Sequence, residues 1–447
     1  MSGLQGQDAR RAAVELLAES GEIELDRDSR LVRLNARDRA LARTLVLGVL
    51  QNRTLIDYYL SRFLTSGRPD ELPPPLLNIL RISVCQLRFL ERVPDYAVVS
   101  QAVELTRAVK LGGLSALTNG VLRNLLRGWD SVKLPDRITD TLRYLEIKYS
   151  HPLWMVRRYL NRFGLDEAEK LLEKNNSPAA LYLRDEQIAS GGKSNLEELL
   201  ADGGYKVSPG NYLPEALELR GQGVYPPTLP GFGQGRFYVQ DETAMLAGRL
   251  AAGDGVKSLA VAVCAAPGGK ATHLARLCPD ADVLALDSSE YRMNRMGANI
   301  KRLELGSRVN MMCCDARRST LRPGSVELVV CDVPCTGTGV VRRKPEIRWR
   351  ISRKDIKALA NVQYDILRES ATLVAPGGAL VYSTCSLEPE ENAAVVERFL
   401  TTEDEFRLEG AGNYLPEQVV SPEGYLATLP HVHGVDGAFA ARMIRCG

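Results

Sequence analysis

The chain has 447 residues, 45% of them hydrophobic, and a formal net charge of +2, so two or three domains with buried cores are expected. No stretch approaches the roughly 18–20 uncharged apolar residues of a membrane span, and the opening MSGLQGQD carries neither the basic nor the apolar part of a secretory signal. Nine cysteines, odd in number and without repeated spacing, exclude a disulfide framework; a reducing cytoplasm is the expected setting and a monomer the expected state.

Residues 8–128 read as nearly all helix. Apolar residues recur at helical spacing over Ala9–Glu19, Arg39–Leu50, Leu55–Leu64, Leu76–Leu90, Val98–Val109 and Leu114–Leu126, with Pro69, Pro73–Pro75 and Pro94 between them. No alternating strand pattern interrupts them, so residues 1–133 are predicted to be an all-α bundle. This part holds 19 Lys/Arg, 17 of them Arg, against 15 Asp/Glu. Residues 134–235 are mixed: a helix from His151 to about Phe163, a strand over Leu181–Arg184, a helix over Asn195–Ala201 and a short strand over Leu217–Leu219. They predict a small α+β module that closes in the Gly- and Pro-rich stretch Gly221–Gly235.

Residues 236–447 alternate strand and helix, which predicts a doubly wound, Rossmann-like α/β domain. The strands are Ser258–Val263, Val283–Asp287, Val309–Cys314, Leu328–Asp332 and Ala379–Thr384; the helices include Lys270–Leu277, Ser289–Leu303, Asp355–Leu373 and Glu391–Leu400. After the first strand comes Cys264-Ala265-Ala266-Pro267-Gly268-Gly269-Lys270, a turn that opens a helix. Its glycines allow close backbone approach, and the helix N-terminus offers N–H groups to an anionic group such as a carboxylate. It is not a P-loop, because Ala271 stands where magnesium binding needs Ser or Thr. Asp287 ends the second strand, where it can accept from ribose hydroxyls; Asp315 follows the third, within reach of an adenine amino group; Asp332 ends the fourth. Any one of them could be a helix cap, but three at one sheet edge point to a nucleoside cofactor.

Two thiols, Cys335 in DVPCTGTG and Cys385 in STCS, each lie just past a strand end at this edge. Thiols ionise near enough to neutrality to act as nucleophiles, and few other side chains can add covalently to a pyrimidine ring. The plainer fate of a free cysteine is burial as a small hydrophobe, and that is expected for Cys85, Cys264, Cys278, Cys313, Cys314, Cys331 and Cys446. Zinc is not expected, because there is no paired CxxC spacing and no histidine near the cysteine cluster in sequence. Residues 341–357 (VRRKPEIRWRISRKDIK) carry eight cations and two anions. A solvated helix face is the plainer alternative, but Trp349 among arginines suits contact with RNA or DNA.

Together CAAPGGK, DVPCTGTG, RRKPEIRW and STCS resemble the S-adenosylmethionine-dependent RNA cytosine-5 methyltransferases. RRKPEIRW and the helical N-terminus narrow the resemblance to the Sun/Fmu (RsmB-type) small-subunit rRNA enzymes, and Asn35–Arg39, Leu80–Ile82 and Asn119–Arg123 resemble parts of their NusB-like RNA-binding domain. The resemblance spans essentially the whole chain. It implies that Cys385 attacks C6 of a cytosine, that Cys335 assists product release, that Asp332 holds the base edge, and that Lys270 touches cofactor and base. It implies that Cys264–Lys270, Asp287, Asp315 and Asp332 hold S-adenosyl-L-methionine, and that Arg342, Arg343 and Lys344 hold the RNA backbone. Val239–Glu242 and Asp436–Phe439 resemble flanking segments, with Ala438 in place of an aromatic. Thr336 replaces a usual serine, and Ala262 stands where the family usually has an acid, whose contact it cannot make. The same chemistry on tRNA, or a non-catalytic RNA-binding assembly or antitermination factor, are the competing readings.

Overall fold

The computed structural model describes residues 6–19, 25, 28–64, 67–90, 93–221, 224–318 and 320–447. The first five residues of the stretch inspected for a leader, and residues 222–223 of the Gly/Pro-rich stretch, lie outside the described residues. The chain forms two compact units, one of residues up to Ser177 with Lys344–Ile351, the other of Pro178–Arg343 with Ser352–Gly447. No helix among the described residues is long and apolar enough to cross a membrane.

The first unit begins with α1 (Gln7–Leu16), α2 (Ser29–Val32), α3 (Ala36–Phe63), α4 (Pro74–Phe89), α5 (Asp95–Ala108), α6 (Ser115–Gly128), α7 (Thr141–Tyr149) and α8 (Leu153–Asn176). Ala13, Leu45, Val49, Ile79, Leu105 and Leu125, spaced for inward faces, meet in one apolar core. Asn35 caps α3 by accepting from Asp38 N–H at 2.9 Å. Pro74 and Pro75 start α4, where a missing N–H costs nothing. The stripes at 39–50 and 55–64 belong to one helix rather than two: α3 runs through a kink at Asn52, whose Nδ2 donates back to Gly48 O at 2.9 Å. The helix expected to stop near Phe163 continues to Asn176, redirected at Gly164 by a φ of 76°. By their contacts α7 and α8, read from sequence as part of the linking module, group with the helical unit.

The second unit starts with β1 (Leu181–Asp185), α9 (Glu186–Ala189), α10 (Leu196–Asp202), β2 (Lys206–Pro209), β3 (Ala216–Arg220) and β4 (Phe237–Val239). Their strands make an antiparallel sheet in the order β2-β3-β1-β4. There follow α11 (Glu242–Ala252), β5 (Leu259–Val263), α12 (Gly269–Leu277), β6 (Asp282–Asp287), α13 (Glu290–Arg302), β7 (Val309–Cys313) and β8 (Val326–Asp332). After α14 (Ile347–Arg350), which belongs to the first unit, come α15 (Arg353–Ala371), β9 (Val374–Thr384), α16 (Ala393–Thr402), β10 (Phe406–Glu409), β11 (Leu426–Thr428), α17 (Pro430–His433) and β12 (Ala438–Arg445). The larger sheet has the order β10-β12-β9-β8-β5-β6-β7, with β11 on β12. β5 to β9 pair in parallel, as the sequence pattern predicts, and β12 runs antiparallel to β9.

A buried carboxylate ties the small sheet to two helices that pack on the large one. Glu215, just before β3, accepts from Arg249 of α11 at 2.7 and 2.9 Å and lies 3.3 Å from His273 Nε2 of α12. Burial, with the Arg184 cation, pushes the His273 imidazole down to about 4 from the ordinary 6.5, so it is neutral at pH 7. The unfolded chain therefore takes up this proton first, and stability falls as pH drops from about 6.5 toward 4. Urea midpoints are expected to decrease from pH 7.5 to pH 5 in the wild type and to decrease less in His273→Asn.

The basic run is not a free arm. Arg348, on α14, is fully buried in the first unit. It donates to Ser150 O at 3.1 Å, Asn176 Oδ1 at 2.8 Å and Asn175 O at 3.2 Å, while Trp349 Nε1 donates to Leu50 O at 2.7 Å. Arg53 stacks on the Trp349 ring at 5.2 Å. Arg348→Ala leaves a void and several carbonyls unsatisfied, and is expected to cost roughly 3 kcal/mol. A lowered denaturant midpoint for the helical unit's transition, followed by far-UV circular dichroism, checks this.

Candidate active site

The chain leaves β5 through Cys264, at a φ of +54° that non-glycine residues rarely adopt. Ala265 N–H donates to Leu286 O at 2.9 Å and Ala266 N–H to Asp287 Oδ2 at 3.1 Å, stitching the turn to the end of β6. Asp287 is 1% exposed and also accepts from Ser289 N–H and Arg292 Nη2, both at 2.9 Å. Behind the turn, buried Arg184 of β1 donates to Gly269 O at 2.7 Å, Gln240 Oε1 at 2.6 Å and Thr272 Oγ1 at 3.0 Å. Tyr238 OH donates to Pro267 O at 3.2 Å. The small sheet thus braces the first turn of α12, a role the sequence reading missed. Ala262, where the resemblance expects an acid, is buried within β5.

Asp315 is more exposed and pairs with Arg317 at 2.7 Å, whose hydrogen bonds hold its carboxyl down to about 2. Burial, then the carboxylates of Asp287, Asp332 and Asp315, push the Cys264 thiol up to about 12. Asp287 ends β6, Asp315 follows β7 by two residues and Asp332 ends β8, so all three lie along the carboxyl edge of the sheet. Lys270 Nζ reaches Asp332 Oδ1 at 2.7 Å, and Ser383 Oγ donates to the same oxygen at 3.0 Å.

β8 and β9 lie side by side in parallel, with Asp332 opposite Ser383. Just beyond their ends, Cys335 Sγ and Cys385 Sγ stand 3.2 Å apart. Gly339 N–H donates to Cys385 O at 2.9 Å, and a Cβ at Gly339 would stand 2.1 Å from Gly437 O, so only glycine allows this approach. The hydrogen bond with Cys385, burial and nearby negative charge push the Cys335 thiol well above its ordinary range. Such a pair can hold one proton between two sulfurs, and the upward shift favours the protonated form of Cys335.

Thr336 and Ser386, each next in sequence to one of these thiols, both donate to buried Glu391. The sequence reading missed Glu391. Hydroxyl residues directly after both thiols, followed by Glu388, Glu390 and Glu391, were the available signal, but no spacing rule picks Glu391, and Glu388 is buried too.

Several expectations are corrected. Arg342 is buried against Asp436 at 3.0 Å, and Arg343 bridges Asp436 and Asp241, the latter at 2.5 Å. With Arg348 and Trp349 spent inside the helical unit, these four residues are internal struts, whereas Lys344, Arg350, Arg353, Lys354 and Lys357 of the same run are exposed. Asp241 caps α11 through Thr243 N–H at 3.0 Å, and Glu242 accepts from the N–H groups of Asn211, Tyr212 and Leu213. Cys85, Cys278 and Cys331 are buried, but Cys313 and Cys446 are exposed rather than buried, Cys313 because β7 is an edge strand and Cys446 because it follows the last strand. Among the described residues no group of three or more His, Cys, Asp or Glu could hold a metal ion.

Three family models match successive parts of the chain: the NusB family over residues 7–127, the RsmF/B-like ferredoxin-like domain over 151–224, and 16S rRNA methyltransferase RsmB/F over 255–444. The chain is 33% identical over 424 residues to the "Probable ribosomal RNA small subunit methyltransferase B" of Bacillus subtilis (strain 168), covering 93% of this chain and 92% of that protein. It is 33% identical over 413 residues to the ribosomal RNA small subunit methyltransferase B of Salmonella newport (strain SL254), covering 92% and 91%. In fold it resembles the crystal structure of PH0851, with a TM-score of 0.80, 24% identity and 98% of each chain covered. It also resembles NSun6 from Pyrococcus horikoshii, with a TM-score of 0.56 and 23% identity over 66% of this chain and 98% of that one. The helical NusB-like part, the ferredoxin-like sheet and the Rossmann-like sheet agree with these matches: the chain belongs to the 16S rRNA methyltransferase RsmB/F family, methyltransferases whose cofactor is S-adenosylmethionine.

Proposed function

We propose that this protein methylates C5 of a cytosine in small-subunit (16S) rRNA through a covalent bond between Cys385 and C6 of the base. The observation that carries this reading is the contact of the two thiols, 3.2 Å apart, next to Asp332 at the carboxyl edge of the sheet. Neutral cytosine is a poor nucleophile at C5. Addition of the Cys385 thiolate to C6 forms a sulfur–carbon bond and pushes the ring electrons toward C5 and N3, where Asp332 binds the base edge and favours addition. Lys270 and Ser383, both on Asp332 Oδ1, fix that carboxylate for the purpose. S-adenosylmethionine, when bound, supplies the electrophilic methyl group that C5 takes. Once Cys385 is bonded to carbon, its hydrogen bond no longer keeps Cys335 protonated. Cys335 then gives its proton to solvent and, as a thiolate, takes the C5 proton; the C5–H electrons restore the C5=C6 bond, the sulfur–carbon bond breaks and Cys385 leaves as a thiolate.

The residues present suit the cofactor. S-adenosylmethionine carries an ammonium, a sulfonium and two ribose hydroxyls, all of which favour the acidic rim of Asp287, Asp315 and Asp332 around Cys264. The first-turn N–H groups of α12, from Gly269 and Lys270, suit its carboxylate. Arg292, half exposed on Asp287, is the partner that ribose hydroxyls would replace there. We further infer that residues 1–133, 134–235 and 236–447 serve as an RNA-binding bundle, a linking module and the methyltransferase domain.

Labelled methyl transfer from S-adenosylmethionine to purified rRNA and tRNA tests the function. Incorporation into small-subunit rRNA as 5-methylcytosine is expected, with Cys385→Ala lower by about 10³-fold or more. Absence of wild-type incorporation, or incorporation only into tRNA, would overturn the reading. Cys335→Ala is expected to accumulate an RNA adduct that survives denaturation, and Cys385→Ala to form none; the reverse pattern exchanges the two roles. For the cofactor turn, Gly268 has a φ of +100° and Met296 Cγ 2.7 Å from the place of a Cβ. Gly268→Ala is expected to destabilise the unit by more than about 1 kcal/mol and, by calorimetry, to weaken S-adenosylmethionine binding about tenfold or more.

A further inference from the structure

Glu391 lies six residues after Cys385 and is fully buried. Oε1 accepts from Thr336 N–H and from Gln363 Nε2 of α15, both at 2.9 Å. Oε2 accepts from Ser386 Oγ at 2.5 Å and from Thr336 Oγ1. All four donors are uncharged, so among the described residues the carboxylate sits in the interior without a cation partner, an arrangement that fold stability alone does not favour. What it joins is specific. Thr336 is the residue after Cys335, Ser386 is the residue after Cys385, and Gln363 also donates to Pro334 O at 2.9 Å, on the other side of Cys335. Tyr382, three residues before Cys385, donates to the Glu391 carbonyl at 2.5 Å. One side chain therefore grips both thiol loops from behind.

We propose that Glu391 is a positioning residue for the thiol pair: it fixes the backbones of the Cys335 and Cys385 loops so that the two sulfurs stand in contact and act on one base as a unit. The proposal rests on the assignment of these thiols to cytosine methylation. A carboxylate is suited to this task because it only accepts. Every donor must point inward, which sets the hydroxyl directions of Thr336 and Ser386 and, through Thr336 N–H, the backbone next to Cys335. A glutamine of the same shape would present two N–H groups and force one of those hydroxyls to turn. The negative charge of Glu391 also helps keep Cys335 protonated until Cys385 has reacted.

The test uses the full chain with Glu391→Gln and Glu391→Ala. A short bifunctional thiol reagent, applied without RNA or cofactor and read by peptide mapping, reports whether Cys335 and Cys385 remain in contact. Steady-state methylation is measured alongside. Bridging of these two cysteines is expected to fall about tenfold in Glu391→Ala. Its kcat is expected to fall about 10²-fold, as for a displacement of about 1 Å, with KM for RNA and cofactor within about twofold of wild type. In Glu391→Gln, the pH inflection for alkylation of Cys335 is expected to move to lower pH. Wild-type bridging together with wild-type kcat in Glu391→Ala would overturn the proposal. Should that variant not fold, an unchanged inflection with wild-type kcat in Glu391→Gln would do the same. A wild type that moves no methyl group, in a series where bridging still depends on Glu391, would refute the methylation reading while supporting the hold of Glu391 on the thiols.

Discussion

The parallel pairing of β8 with β9 is the constraint from which the site follows. Neighbouring strands lie about 4.8 Å apart, and these two run side by side to the same edge with Asp332 opposite Ser383. Cys335 leaves β8 after three further residues and Cys385 leaves β9 at once, so their sulfurs meet without any long-range adjustment. β5, on the other flank of β8, delivers the turn that carries Lys270 to Asp332. The central three strands of the sheet thus set the acid, the lysine and both thiols, and the loops refine what the strands have already brought close.

Arginine does much of the internal bracing. Arg184 holds the first turn of α12 from the small sheet, Arg343 joins Asp241 to Asp436, and Arg348 fills the interior of the helical unit. In each case a planar, always charged group with several fixed donors satisfies carbonyl or carboxylate oxygens drawn from distant parts of the chain. Lysine, with one point charge on a flexible stem, could not span such sets. The same property makes arginine suited to RNA, which is why composition alone does not separate buried Arg342 and Arg348 from the exposed Lys344, Arg350, Arg353, Lys354 and Lys357 of the same run.

What was legible in the sequence follows from how each part is buried. The strands β5, β6, β8 and β9 lie in the interior of the large sheet, each with at least one parallel neighbour, and read as nearly continuous apolar runs. Antiparallel strands of three or four residues, such as β2, β4, β10 and β11, are too short to show a period. The kinked α3 read as two helices because Asn52 breaks the apolar stripe without ending the helix. In the site, Cys264–Lys270, Asp332, Cys335 and Cys385 were visible because each belongs to a local turn whose residue types are dictated by its own geometry. Glu391, Arg184 and the Asp241–Arg343–Asp436 bridge were not, since each depends on at least one partner 55 to 102 residues away. Charge counts cannot tell a buried strut from a surface cation, so Arg342, Arg343 and Arg348 were read from the wrong side.

The seat of Arg348 and Trp349 also dictates an order of events during synthesis. Trp349 binds the Leu50 carbonyl across 299 positions of the chain, so the helical unit is continuous in space but interrupted in sequence. Domains made first on the ribosome commonly finish folding first. Here the N-terminal helices can associate early, yet the gap that receives Arg348 stays unfilled until the ribosome has passed residue 351. By then β5 to β8 and the Cys335 loop have been made, and the unit translated first is completed only after half the strands of the large sheet exist.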